Sequence, residues 1–346
     1  MDELALLSGL LELYSPTGQE ADAVAYLVTQ MFAAGFRVHT DQAGNAIGEV
    51  GDGDETIILL GHIDTVPGFI PVQRDGDRLS GRGAVDAKGP LVTFAAAAAR
   101  AAPHLKSRRV IVIGAVGEEG DSRGAQFIKD RYRPALTVIG EPSGWEKVTL
   151  GYKGSAWFEY RVQRELAHTA AQNESACEAA VGFWNAVTAW AAQRNAGIQR
   201  VFEQVSPTLR GMQSGSDGFA ESAELRFGVR LPPGMAVDEL AELLRSLAPH
   251  AEVTLIDGVP AYRGEKNTPL VRAFLAAIRQ AGGTPGFTLK TGTSDMNLVA
   301  PVWGTPILAY GPGDSSLDHT PQEHILISEY ERAIQVLTSV LTSLAA

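Results

Sequence analysis

The feature that most constrains the fold is a repeated pattern of apolar run, glycine-containing turn and acidic or imidazole side chain. The apolar runs at 57–60, 110–116 and 136–139 are each followed by such a turn. Short apolar runs bounded by turns indicate buried strands. Because open α/β sheets bind ligands at the carboxyl ends of their strands, the polar side chains after these runs are expected to meet there.

His62 and Asp64 follow the first run, within the stretch HIDTVPG. Two residues that are two positions apart on an extended chain point the same way. One of them can therefore bind a metal ion while the other holds the imidazole in one tautomer. A single histidine at a strand end is more often an ordinary structural residue, so this stretch alone decides little.

Four later stretches carry side chains of the same kinds. Asp86 lies in GRGAVDAKG before a predicted Ala-rich helix at 91–102, Glu118 and Glu119 lie in GEEG, Glu141 lies in GEP, and His319 lies in DHTP. Imidazole and carboxylate ligands suit Zn²⁺, Co²⁺ or Mn²⁺, and no cysteine lies in these stretches, which argues against a structural thiolate zinc. Taken singly, these residues have bland interpretations: helix cap, solvated turn or surface loop. Their shared context favours a metal site.

These stretches, in this order from residue 61 to residue 321, resemble the M20 family of metallopeptidases and deacylases. The resemblance covers essentially the whole chain and implies an enzyme, a metal-dependent amidohydrolase or peptidase with two divalent metal ions, Zn or Co. By that resemblance His62 and Glu141 would bind one metal ion, Glu119 and His319 would bind the other, and Asp86 would bridge both.

The resemblance also implies the catalytic groups. Glu118 would be the general base, and Asp64 would orient His62. A histidine of the lid domain, often from a partner subunit, would assist the tetrahedral intermediate, and His168 in LAHTA is the candidate. Ala167 stands where the family usually has glycine, so a surface-loop histidine is the alternative interpretation.

The order of predicted elements changes once and then changes back. Residues 1–154 alternate strand and helix, residues 155–262 follow the order β-α-β-β-α-β, and the α/β pattern resumes at 263–346. The middle order is that of a ferredoxin-like fold. We therefore expect an α/β mixed-sheet catalytic domain, discontinuous over 1–154 and 263–346. The inserted ferredoxin-like α+β domain at 155–262 would serve, as in the family, as a lid and dimer contact.

Composition limits the compartment and the partners. The 346 residues are 45% hydrophobic and 20% charged, carry a net charge of −11 and include one cysteine, Cys177. One cysteine allows no internal disulfide and fits a reducing compartment. The acidic start Met1-Asp2-Glu3-Leu4 is unlike a signal peptide, and no apolar run reaches membrane-spanning length. We expect a cytoplasmic homodimer that binds neither membrane nor nucleic acid.

Substrate selection is predicted from three further stretches. Arg230 in RLPPG resembles the family's lid arginine, which holds a substrate carboxylate, and the alternative is a strand-end pair with Glu224. Lys290 opens the polar glycine loop KTGTSDMN, which resembles a family loop near the substrate. Together with GYKGS and the short length, this loop most resembles enzymes that release lysine or ornithine from an acidic amino-group carrier protein in lysine or arginine biosynthesis.

Two other functions remain open from the sequence. The first is a small-molecule N-acyl amino acid deacylase, of the acetylornithine deacetylase or succinyl-diaminopimelate desuccinylase type, or a dipeptidase. The second is a non-catalytic binding protein with a degenerate site, because metal motifs can outlive catalysis. A lost ligand or a lost base would mark that second class, and none of the seven positions for ligands, base and Asp64 is lost in this sequence.

Overall fold

The computed structural model describes residues 2–168, 170 and 173–345. The chain forms two compact units. Unit 1 consists of Met1–Gly151, Gly264–Leu289 and Ser294–Ala346, and unit 2 consists of Tyr152–Arg263 and Lys290–Thr293.

The described residues form helices and strands throughout both units. The α-helices are α1 Glu3–Glu12, α2 Ala21–Ala33, α3 Lys88–Ala101, α4 Arg123–Ile128, α5 Ala176–Arg194, α6 Val237–Ser246, α7 Pro269–Gln280, α8 Met296–Trp303 and α9 Ile327–Leu344. The strands are β1 Arg37–Thr40, β2 Ala46–Val50, β3 Glu55–His62, β4 Gln73–Asp75, β5 Arg78–Ser80, β6 Arg108–Ala115, β7 Leu136–Gly140, β8 Lys147–Tyr152, β9 Gly154–Glu165, β10 Ser206–Ser216, β11 Ala220–Leu231, β12 Glu252–Val259, β13 Tyr262–Arg263, β14 Gly286–Lys290, β15 Ile307–Ala309 and β16 His324–Leu326. No helix within these described ranges has both the length and the apolar character needed to cross a membrane.

Unit 1 is built on a mixed sheet with the order β1-β2-β6-β3-β7-β15-β8, and β14 pairs with β8. Its central strands β6, β3, β7 and β15 are parallel. In β3 the residues from Ile57 to Leu60 are completely buried, as expected for parallel strands covered on both faces. The parallel arrangement brings the carboxyl ends of β3, β6 and β7 to one edge of the sheet.

Helix α3 packs closely against this edge because two strand residues lack side chains. A Cβ atom at Gly61 would lie 3.3 Å from Leu91 of α3, and one at Gly140 would lie 2.9 Å from Phe94. The small residues of α3 let the helix approach, and α3 also packs against α9. This packing places the segment before α3, which contains Asp86, beside the ends of β3 and β7.

Unit 2 contains a four-stranded antiparallel sheet with the order β10-β11-β9-β12. With α5 and α6 it follows the β-α-β-β-α-β order, so the predicted ferredoxin-like fold is confirmed. Its core includes Phe158 stacked on Phe227 and Tyr160 stacked on Phe183, at centroid distances of 5.5 and 4.3 Å. Helix α5 begins after a capping box formed by Ser175 and Glu178.

The structure differs from the sequence expectations in several elements. Thr17 and Glu20 have the spacing of a capping box, but α2 begins at Ala21 and Glu20 makes no side-chain cap. Residues 290–293 are expected in the catalytic domain, but they pack with unit 2, where Lys153 N donates to the Lys290 carbonyl at 3.1 Å. Strand β14, helix α8 and the small sheet β16-β5-β4 are not predicted from the sequence, because these elements are short.

Candidate metal centre

The predicted metal ligands lie at one edge of the unit 1 sheet. His62 is the last residue of β3, Glu119 follows β6, and Glu141 directly follows β7. Asp86 lies two residues before α3, and His319 lies in the segment between β15 and β16. The structure therefore gathers all five at the carboxyl ends of parallel strands, although they are spread over most of the chain.

Two groups of these side chains share Asp86, and a third group joins His62 to Glu118 and Glu119. One ligand atom from each of His62, Asp86 and Glu141 lies within 4.8 Å of the others, and the same holds for Asp86, Glu119 and His319. Asp86 Oδ1 lies 3.2 Å from His62 Nε2, and Asp86 Oδ2 lies 3.0 Å from His319 Nε2. Asp86 thus turns one oxygen toward each imidazole, as a carboxylate that bridges two cations would.

Asp64 holds the segment after β6 as well as facing His62. Its oxygens accept hydrogen bonds from the backbone N–H groups of Glu118 and Glu119, at 3.0 and 3.1 Å, and from Thr17 Oγ1 at 2.7 Å. Its Oδ1 lies 3.5 Å from His62 Nδ1, and its backbone carbonyl lies 3.0 Å from the same nitrogen. Sequence spacing suggested a contact with the imidazole alone, so the larger role of Asp64 in holding the loop was missed.

The electrostatics of the cluster reflect an excess of negative charge. Burial favours a low pKa for His62, but hydrogen bonds with Asp64 and Asp86 outweigh burial and raise its pKa well above the ordinary value. Hydrogen bonds with Asp86 and Glu119 raise the pKa of His319 to about 10. Burial, followed by the charges of neighbouring carboxylates, raises the pKa of Glu118 well above its ordinary range. Protons are thus drawn to a site where positive charge is in deficit.

Asp295 adds a further carboxyl group that the sequence analysis did not single out. It lies in the loop KTGTSDMN just before α8, and it is 3% exposed. Burial raises its pKa to about 7, and Ser122, in the turn before α4, hydrogen-bonds to it. The motif itself drew attention in the sequence, but nothing local indicated that this member would be buried near His62.

The donor set fits two divalent cations. Imidazole nitrogen and carboxylate oxygen are ligands for borderline and hard metal ions. Carboxylates outnumber imidazoles in the cluster, and the raised pKa values of His62, His319 and Glu118 mark the same deficit of positive charge. The two groups of side chains that share Asp86 would each supply one cation with protein ligands on more than one side.

The predicted lid and substrate residues lie in unit 2. His168 is exposed in the loop after β9, and its Nδ1 accepts a hydrogen bond from Ala170 N at 3.1 Å, whereas the neighbouring Thr169 lies outside the described residues. Arg230 in β11 donates to Thr293 Oγ1 at 3.2 Å. Its alternative partner Glu224 instead lies 3.4 Å from Arg161. Lys290 is the last residue of β14 and belongs to the same short segment of unit 2, 290–293, as Thr293.

A mixed α/β sheet that carries this cluster at its strand ends, together with a ferredoxin-like insertion, defines a metal-dependent hydrolase. Residues 58–343 match Peptidase family M20/M25/M40, and the chain belongs to that family. The prediction of a metal-dependent amidohydrolase is thereby confirmed.

Individual relatives extend this similarity over the whole chain. The [LysW]-lysine hydrolase of Deinococcus radiodurans is 44% identical over 347 residues, which cover 98% of this chain and 96% of the relative. Among solved structures, the M20 family metallo-carboxypeptidase Sso-CP2 from Sulfolobus solfataricus has a TM-score of 0.80 at 18% identity, with 99% of each chain covered. The Bacillus subtilis YXEP protein, a dinuclear metal-binding peptidase, has a TM-score of 0.77 at 14% identity, with 99% and 97% covered. These structures share the fold.

Proposed function

We propose that this protein hydrolyses the amide bond of carrier-linked lysine and so releases free lysine from an acidic amino-group carrier protein. The observation that carries the hydrolytic part is Asp86, which lies between His62 and His319 with Glu118 in the same cluster. The carrier-linked substrate is supported by 44% identity to the [LysW]-lysine hydrolase of Deinococcus radiodurans over nearly the full chain.

The proposed metal ligands are the five side chains of the cluster. His62 and Glu141 would hold one cation, Glu119 and His319 would hold the other, and Asp86 would contact both. Two divalent cations, when bound, polarise an acyl oxygen and lower the pKa of a water molecule. We propose zinc or cobalt, because imidazole with carboxylate and no thiolate suits these ions.

Glu118 is the proposed general base. Its carboxylate takes one proton from the attacking water, whose oxygen forms a bond to the amide carbon. The carbon–nitrogen bond then breaks, and Glu118 returns the proton to the leaving α-amine. The products are the carrier's side-chain carboxylate and free lysine. Asp64 contributes by holding the backbone N–H of Glu118, and this contact fixes the position of the loop.

Unit 2 supplies the proposed recognition groups. Arg230 would bind the lysine carboxylate, since a guanidinium matches a carboxylate with two hydrogen bonds, and Lys290 would add positive charge. His168 would assist the intermediate from the lid at 155–262, through which two copies would pair. Light scattering at micromolar concentration is expected to give a dimer. A fully active monomer would remove His168 from any role across an interface.

The decisive experiment is a hydrolysis screen with added Zn²⁺ or Co²⁺. Carrier-linked lysine, carrier-linked ornithine, acetylornithine and succinyl-diaminopimelate are tested as substrates for purified protein stripped of metal and reloaded. We expect the highest kcat/KM for carrier-linked lysine and no turnover without added metal. Acetylornithine turnover equal to or faster than that of the carrier-linked substrate would instead identify a small-molecule deacylase.

A further inference from the structure

A buried ion pair lies directly behind the proposed metal ligands. Arg82 Nη1 lies 2.7 Å from Glu323 Oε2, and the two side chains are 8% and 1% exposed. Breaking a buried pair by removing one partner leaves an uncompensated charge in a poorly solvated place. A pair this deeply buried needs further hydrogen bonds, and its remaining contacts reach the segments that carry the ligands.

The second oxygen of Glu323 holds the backbone at Asp86. Glu323 Oε1 accepts hydrogen bonds from Val85 N at 2.9 Å and from Asp86 N at 3.1 Å. The side chain of Asp86 is therefore projected from a backbone that Glu323 fixes from behind. Residues 86 and 323 are far apart in sequence, so this contact exists only in the folded chain.

The guanidinium of Arg82, which pairs with Glu323, also holds two other segments of the chain. Its Nε donates to the Gly68 carbonyl at 2.9 Å, in the loop that begins after His62. Its Nη1 also donates to the Thr320 carbonyl at 3.3 Å, one residue beyond His319. His319 has a φ of +61°, in the left-handed region that non-glycine residues keep only when their surroundings hold them.

We propose that Arg82 and Glu323 are positioning residues for the metal centre, and that they act chiefly on the cation position formed by Asp86, Glu119 and His319. This inference rests on the proposed two-metal site. Both Asp86 and His319 depend on the pair through direct or adjacent backbone contacts. The position formed with His62 depends on it less, because the His62 imidazole is held independently by Asp64.

The conservative variant Glu323→Gln tests the charge and its geometry. A glutamine oxygen can still accept from Val85 N and Asp86 N, but its amide then turns N–H donors toward the Arg82 guanidinium. Arg82→Lys is the matching change on the other side, since one ammonium cannot reproduce the fork that reaches Glu323, Gly68 and Thr320. If one of the two variants is poorly expressed, the other still tests the proposal.

The measurement is cobalt binding to the metal-free full-length protein, by titration calorimetry and visible absorption, with a thermal melt to verify folding. The wild type is expected to bind two Co²⁺ ions. In each variant, the site formed with His319 is expected to weaken by about ten- to a hundredfold, the usual effect of losing a group that orients a ligand, and the site formed with His62 is expected to weaken less. The absorption bands of the weakened site are expected to change.

Asp77→Asn is the matched control. Asp77 also holds the C-terminal segment, since its carboxylate accepts hydrogen bonds from Ser328 N at 2.9 Å and from Ser328 Oγ at 2.6 Å, and Ser328 lies in α9 rather than in a loop that carries a proposed ligand. We expect this variant to lose some thermal stability while both cobalt affinities and the spectrum stay as in the wild type.

The outcomes separate the two proposals. A folded Glu323→Gln or Arg82→Lys protein with wild-type affinities and spectrum would overturn the positioning role, even if its melting temperature falls. Equal weakening of both sites would overturn the preference for the position formed with His319. A wild-type protein that binds fewer than two Co²⁺ ions would overturn the two-metal site itself.

Discussion

Replacing Glu118 or Glu119 with glutamine, one at a time, distinguishes the proposed general base from the proposed metal ligand. The two residues are adjacent, and both donate a backbone N–H to Asp64, at 3.0 and 3.1 Å. One ligand atom from each of His62, Glu118 and Glu119 lies within 4.8 Å of the others, and Glu119 Oε1 also lies 2.9 Å from His319 Nε2. Glutamine keeps the size and the backbone contacts in both variants, so the pair is internally matched.

The expected magnitudes differ in kind. Loss of a general base typically reduces the rate about 10²- to 10⁴-fold, equivalent to a barrier increase of about 2.7–5.4 kcal/mol. Glu118→Gln is therefore expected to lower kcat by that factor and to leave metal content unchanged. Glu119→Gln removes a charged ligand atom from the group with Asp86 and His319, so we expect it to weaken one metal position.

The assay combines steady-state hydrolysis with metal content measured on the same samples. Rates at saturating and sub-saturating substrate concentrations give kcat and KM separately. The samples are dialysed against trace metal, and elemental analysis then gives the number of bound metal ions. If Glu118→Gln loses a metal ion while Glu119→Gln keeps two, the roles of the neighbours are reversed. If Glu118→Gln retains wild-type kcat, another group is the base.

Three further perturbations have clear expected outcomes. Thr17→Val removes a hydrogen bond to the charged carboxylate of Asp64, so it is expected to lower the free energy of unfolding by about 1.5–3 kcal/mol in denaturant titrations. Thr338→Val is the control, because the Thr338 hydroxyl donates to the carbonyl of Ile334 within α9, and it is expected to change the free energy of unfolding much less. Burial in the folded protein raises the pKa of Asp295 to about 7, so the contribution of this carboxyl group to stability is complete below about pH 4 and is lost as pH rises through 7. Without metal, Asp295→Asn is therefore expected to lose less stability between about pH 5 and 8 than the wild type. Parallel losses of the two proteins in thermal melts would contradict this. Because the chain carries a net charge of −11, binding of an acidic carrier protein requires a local basic surface on the enzyme. Hydrolysis of the carrier-linked substrate is expected to slow with added salt more than hydrolysis of a small N-acyl substrate, since charges are screened within about 10 Å at 0.1 M. Equal salt dependence in initial-rate assays would argue against carrier docking by charge.

Much of the architecture was accessible from local patterns. The buried run 57–60 became the centre of β3, and the order predicted for 155–262 recurs in β9, α5, β10, β11, α6 and β12. Short irregular elements were not accessible, because a three-residue strand such as β16 has no period to detect. Thr17 shows a related limit, since the same hydroxyl that suits a helix cap bonds instead to the buried Asp64 carboxylate.

The sequence by itself determined which chemistry the chain carries, whereas only the tertiary structure decided how that chemistry is held. His62, Asp86 and His319 could be selected because their types and their positions after strand and turn signals are local properties. Glu323 could not be selected, because its partners Arg82 and Asp86 lie more than two hundred positions away and nothing near residue 323 indicates a buried carboxylate. Contacts at such separation depend on the path of the whole chain. A candidate ligand can therefore be proposed from its own sequence, but its support is defined only once the sheet and the C-terminal segment have packed together.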